Sequence, residues 1–166
     1  MNIYSVKAKF NEYENNINIC LEGRTELEIC KELFGFLTDP ETITLNYATY
    51  GTLMQATDCD TERFPVLVKA TDFLTTKKAH LLDMYFEFYD EYMEDPEEID
   101  ASDVHVALTQ GYFYHPLSGE TITNFSNYIY PVFRPSEELK LYRQAVRQGL
   151  NEYAIQPSRH SAFSRE

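Results

Sequence analysis

The sequence predicts an α+β fold, a mainly antiparallel sheet with about three helices packed on it. Two observations carry that reading. Stretches of period-two hydrophobic alternation and stretches of helical spacing succeed one another irregularly, not as regular βαβ units. The chain also has 43% hydrophobic and 14% aromatic residues in 166, enough apolar surface for one core without a metal or disulfide. A single domain is expected over residues 1–155, with a polar tail over 156–166.

Taken in order, Tyr4, Val6, Ala8 and Phe10 alternate with polar residues. Ile17, Ile19 and Leu21 do the same after the polar run NEYENN, which predicts an antiparallel hairpin closed at Gly23. Thr25 and Glu28 form a capping-box pattern ahead of Leu27, Cys30, Leu33, Phe34 and Leu37, a helix that Asp39-Pro40 ends. Ile43, Leu45 and Tyr47 read as a strand followed by an irregular turn at Gly51, and Val66-Leu67-Val68 as a central strand.

The strongest periodic segment is 75–93. Leu81, Leu82, Tyr85, Phe86, Tyr89, Tyr92 and Met93 recur three or four apart, which predicts one helix. Leu82, Phe86, Tyr89 and Met93 should then face inward, and Asp83, Glu87, Asp90 and Glu94 outward. Val104, Val106 and Leu108 suit a strand or a short helix capped by Ser102. Tyr112 to Phe133 suggests a second hairpin around the turn HPLSG. Pro135, the Ser136 cap, Glu137 and Glu138 open a last helix carrying Leu139, Tyr142, Ala145, Val146, Leu150 and Tyr153 on its buried side.

Charge is the second theme. There are 27 acidic and 14 basic side chains, a net −13, which argues against direct binding of nucleic acid through a broad basic face. Positions 72–103 hold 11 of the acids and only two cations, Lys77 and Lys78, for a local −9. On a helix, Asp83, Glu87, Asp90, Glu91, Glu94 and Asp95 would form one acidic stripe continued by Glu97 and Glu98. Acids four apart would repeat every ~6 Å, comparable with the phosphates of a DNA strand. The plainer reading is a solvated face that keeps the protein in solution, but such a face usually mixes its signs. The later basic residues, Arg134, Lys140, Arg143, Arg147, Arg159 and Arg165, give the chain ends of opposite charge, with pairing to acids as their ordinary role.

No catalytic signature is present: GxGxxG, Walker A, GxSxG, HExxH and CxxC are all missing. His80, His105, His115 and His160 share no metal-ligand spacing. Asp58, Asp60 and Glu62 lack the glycine and distal glutamate of a calcium loop. No metal or cofactor is therefore expected, and an enzyme would need a site assembled from dispersed polar residues. Cys20, Cys30 and Cys59 are odd in number, and the first residues carry charge within the apolar positions. Both point to free thiols in a cytoplasmic protein, with no membrane contact. The 13 tyrosines exceed what a core needs. Tyr85, Tyr89 and Tyr92 would share a helix face, and Tyr112, Tyr114, Tyr128 and Tyr130 would alternate on strands, so a homodimer or assembly contact is a further reading.

Small, acidic, aromatic-rich and without catalytic signatures, the chain is similar in profile to phage- or plasmid-encoded inhibitors of host defence, DNA-mimicking antirestriction and anti-CRISPR proteins among them. The likeness is compositional and covers no alignable motif. It implies a basic nucleic-acid-binding protein or complex as partner, met in the host cytoplasm through the acidic segment.

Overall fold

The computed structural model describes residues 2–42 and 44–149. The expected Leu150, Tyr153 and the 156–166 tail lie outside them. The class is α+β, and both sheets are antiparallel, but the described residues contain six helices instead of about three.

The first correction is at the start. Residues Ile3–Cys20 form one helix, α1, where a hairpin was expected. Val6, Phe10, Tyr13, Ile17 and Leu21 are its buried stripe, spaced four, three, four and four. The alternating residues had belonged to two patterns at once. Tyr4 and Ile19, which only the strand pattern would bury, are 81% and 72% exposed. The run NEYENN has no Gly or Pro and continues the helix, and the Asn2 side chain caps it by accepting from the Ser5 amide at 2.9 Å.

Helix α2, Leu27–Thr38, is where the sequence places it, and it ends at Asp39. Its capping box does not form: Glu26 is the N-cap and makes no side-chain cap bond. The expected strand at 43–47 is absent among the described residues; only Ala48 pairs, as a single bridge to Phe133. Beyond it Thr49 and Thr52 cap each other's turn and start α3, Tyr50–Ala56, in place of the irregular turn. The Val66-Leu67-Val68 run lies in helix α4, Phe64–Phe73. Pro65 sits in its first turn, where its missing N–H costs nothing, and Leu67, Ala70 and Leu74 face the core.

The expected 75–93 helix is not formed. The amides of Leu81 and Leu82 both turn back to the Leu74 carbonyl, at 2.9 and 3.0 Å, and residues Leu82–Phe88 form strand β1. This aromatic segment satisfies both periods, since Leu82, Met84, Phe86 and Phe88 also alternate. Strand pairing decides between them. Every residue of β1 has a partner in β5, from Leu82↔Pro135 to Phe88↔Ile129. Strand β2, Glu97–Ile99, pairs along the other edge, giving the order β2-β1-β5.

Helix α5, Ala101–Gln110, resolves the ambiguity at 104–108 in favour of a helix, with Asp100 and not Ser102 as N-cap. It stops at Gly111, whose φ of 88° is left-handed and suits glycine. Strands β3, Phe113–Tyr114, and β4, Thr121–Ile122, form a small hairpin around HPLSG, and β5 spans Ile129–Pro135. Helix α6, residues 137–149, is capped as expected: Ser136 Oγ accepts from the Leu139 amide at 3.1 Å. Among the described residues, no helix is long and apolar enough to cross a membrane.

Two cores result. The larger joins α1, α2, α3, α4 and α6, the last through Leu139, to one end of the sheet through Leu82 and Phe133. The smaller gathers Phe88, Met93, Ile99, Val104, Ala107, Phe113 and Phe125 at the other end. Strand β1 links them, contributing Leu82 to one and Phe88 to the other. Its opposite face carries Asp83, Tyr85 and Glu87.

Candidate functional site

The eight acids singled out by the sequence do not form one stripe. Asp83 lies in β1 and meets His80 Nε2 at 2.7 Å. Glu87, also in β1, has a side chain only 13% exposed, and Asp90, just after the strand, one only 11% exposed. Tyr89, expected inside, is instead 41% exposed. Glu91, Glu94 and Asp95 are exposed on the connection from β1 to β2, and Glu97 and Glu98 are exposed on β2 itself. Five of the eight thus face solvent between positions 91 and 98, on one hairpin, and exposed Asp100 and Asp103 follow.

The paired acids have partners far away in sequence. Glu87 stands directly opposite Glu98 across the sheet, a like-charge pairing that is unfavourable by itself. Arg134 of β5 relieves it, reaching Glu87 Oε1 at 3.9 Å and Glu98 Oε2 at 3.5 Å while lying 4.4 Å from the Tyr85 ring centre. Nothing in the local sequence marks Arg134 for this position. Only the β1–β5 register brings it there.

Asp90 Oδ2 meets His115 Nε2 at 2.7 Å, an acid–histidine pair of the sort that serves catalysis. Here both ring nitrogens are used. Nδ1 accepts from the amides of Leu117 and Ser118, at 3.1 and 3.2 Å, so Nε2 carries the proton and donates to Asp90. No lone pair is left to act as a base, and the ring packs edge-on against Phe88 at 5.0 Å. The pair braces the smaller core. His80 also lies between carboxylates, with Nδ1 3.4 Å from Glu138. Among the described residues, no three His, Cys, Asp or Glu side chains are grouped to hold a metal ion.

Beside the acidic hairpin is a cleft of about 430 Å³ on the outer face of the sheet. Tyr47, Tyr50, Tyr89 and Tyr130 line it with Pro96 and Glu87. The Tyr47 hydroxyl donates to Glu87 Oε2 at 3.1 Å, and burial, then the Glu87 charge, raise the Tyr47 pKa above its ordinary value, which keeps it a donor. Sequence reasoning had grouped Tyr89 with Tyr85 and Tyr92 on a helix face. It did not bring Tyr47 and Tyr50 into that group, because Tyr47 reads as part of a 43–47 strand and Tyr50 as part of an irregular turn, whereas Tyr50 opens α3.

The cysteines are free: Cys20 is exposed, while Cys30 and Cys59 are buried. Burial pushes the Cys30 thiol up to about 12. No family model matches the chain, and no curated protein or solved structure proved similar to it.

Proposed function

We propose that this chain is an acidic interaction protein that regulates or inhibits a nucleic-acid-handling partner by engaging a basic surface of it with the β1–β2 hairpin. The observation that carries the reading is the exposure of Glu91, Glu94, Asp95, Glu97 and Glu98 on one hairpin, where among the described residues Arg134 is the one cation paired to any of them, through Glu98. Unbalanced charge of this kind creates a field that draws a basic surface from a distance and speeds encounter.

Edge protection is the competing account. Strand β2 is a sheet edge, and charged side chains there discourage pairing with a second chain. That explains Glu97 and Glu98. It does not explain Glu91, Glu94 and Asp95, which are outside the strand. The proposal keeps the charge of the DNA-mimic reading but not its helical phosphate spacing, since β1 is extended. A tyrosine-rich adaptor is a second reading, favoured by the exposure of Tyr92, Tyr114, Leu108 and Leu117 around the smaller core.

The test is a salt series on a partner recovered by affinity capture, with wild type and a Glu91→Lys, Glu94→Lys, Glu97→Lys variant. Binding should weaken as salt rises, DNA should compete for the partner, and the variant should lose mainly association rate. Equal binding by both proteins with no salt dependence removes the acidic hairpin from consideration and favours the adaptor.

A further inference from the structure

We propose that the cleft between Tyr47, Tyr50, Tyr89 and Tyr130 binds an arginine side chain of the partner, with Glu87 as its counter-charge. The inference rests on the acidic hairpin being the partner surface and names what that surface grips.

The cleft has the size of a ligand site, about 430 Å³. Four tyrosines line it, and aromatic rings attract cations. Three of the four rings are already held. Tyr47 is bonded to Glu87, and the Tyr130 hydroxyl donates to the Asn127 carbonyl at 2.7 Å. Tyr50 packs edge-on against Phe64 and Phe133, with centroids 5.1 and 4.9 Å away. A guest would therefore order little on entering.

The charge balance also favours a cation. Arg134 is shared between Glu87 and Glu98, so this group of three retains one negative charge. Its approach to Glu87 is 3.9 Å, too long for a hydrogen bond, which leaves acceptor capacity on that carboxylate. The same sheet face already holds one guanidinium in this manner, since Arg134 lies over Tyr85 beside the two glutamates. Arginine fits better than lysine because its planar, weakly hydrated head stacks on tyrosine and can meet a carboxylate with two donors. Pro96 lines the cleft, and its chain neighbours Asp95 and Glu97 are exposed acids that would guide a basic segment toward it.

The experiment compares fluorescein-labelled nona-arginine and nona-lysine peptides by anisotropy. Wild type should prefer nona-arginine by roughly 10-fold, the scale of a desolvated cation–π contact with its carboxylate. Tyr89→Ala and Glu87→Gln should bring the two affinities together. Circular dichroism and urea midpoints verify that each variant is folded, and exposed Tyr89 serves should the Glu87 variant unfold. Reversing Glu91, Glu94 and Glu97 to Lys should weaken both peptides alike and leave their ratio unchanged. Equal affinities on wild type, or a ratio unmoved by Tyr89→Ala, overturns the cleft assignment even if the charge reversal still weakens both. A charge reversal without effect on either peptide overturns the acidic-surface reading itself.

Discussion

The guanidinium of Arg143 donates through Nε to the Leu37 carbonyl, 3.0 Å away and 106 positions earlier in the chain. Leu37 is in the last turn of α2, where carbonyls have no partner within the helix. A second bond, from Nη1 to the Leu45 carbonyl at 2.8 Å, ties the following connection to the same side chain. Arg143 is 2% exposed, and burial lowers its pKa from the ordinary arginine value. The pairing with acids expected of it is therefore not its role: it fastens α6 to the end of α2.

Replacing Arg143 with Met keeps the apolar stem and removes the donors. The cost should be about 2–4 kcal/mol, because two carbonyls lose charge-assisted bonds. Urea unfolding should show a lower midpoint at an unchanged slope, with Arg143→Lys intermediate. A Met variant as stable as wild type would show that these bonds contribute nothing.

Arg134→Leu should destabilise by about 1 kcal/mol, a modest figure because the side chain is partly exposed. Most of that cost should disappear in a Glu98→Gln background, where Glu87 no longer faces a like charge. A double-mutant cycle measures the coupling. Strict additivity would mean that Arg134 does not relieve the Glu87–Glu98 opposition.

His115 should be the Nε2–H tautomer in the folded protein, because Nδ1 is committed to two amides. Long-range nitrogen–proton NMR correlations distinguish the tautomers directly. In His115→Ala the Leu117 and Ser118 amides should exchange faster, with a stability loss of about 1–3 kcal/mol. A proton found on Nδ1 would refute the assignment and reopen the pair as a base.

Cys30 should make alkaline pH destabilising. Its folded pKa of about 12 lies above the ordinary 9.0, so between these values the unfolded chain has lost a proton that the native one keeps. Its contribution is fully present below pH 9.0 and falls as pH rises toward 12, by at most about 1.4 kcal/mol per unit. Raised tyrosines, Tyr13, Tyr50 and Tyr142, act in the same direction, so the measure is the difference between wild type and Cys30→Ala. Parallel stability–pH curves would disprove the Cys30 contribution. In native protein near neutral pH, a thiol reagent should modify exposed Cys20 first, and denaturation should release all three.

The sequence by itself determined the α+β class, the span of α2, the Ser136 cap, the HPLSG turn and the concentration of acid in 72–103. These depend on local chemistry: a cap or turn is satisfied by residues within a few positions, and charge density requires no fold. Tertiary structure decided wherever two periods fitted one segment. Residues 3–20 and 82–88 each admit both a helical and an alternating stripe, and local preferences differ by only tenths of a kcal/mol per residue. Pairing with β5, distant in the chain, made 82–88 a strand, and burial against α2 and α6 made 3–20 a helix. The same distance hid the site. Glu87 and Asp90 look like surface acids until Tyr47, Arg134 and His115 arrive from other elements, and a buried carboxylate is tolerated only where such partners meet it.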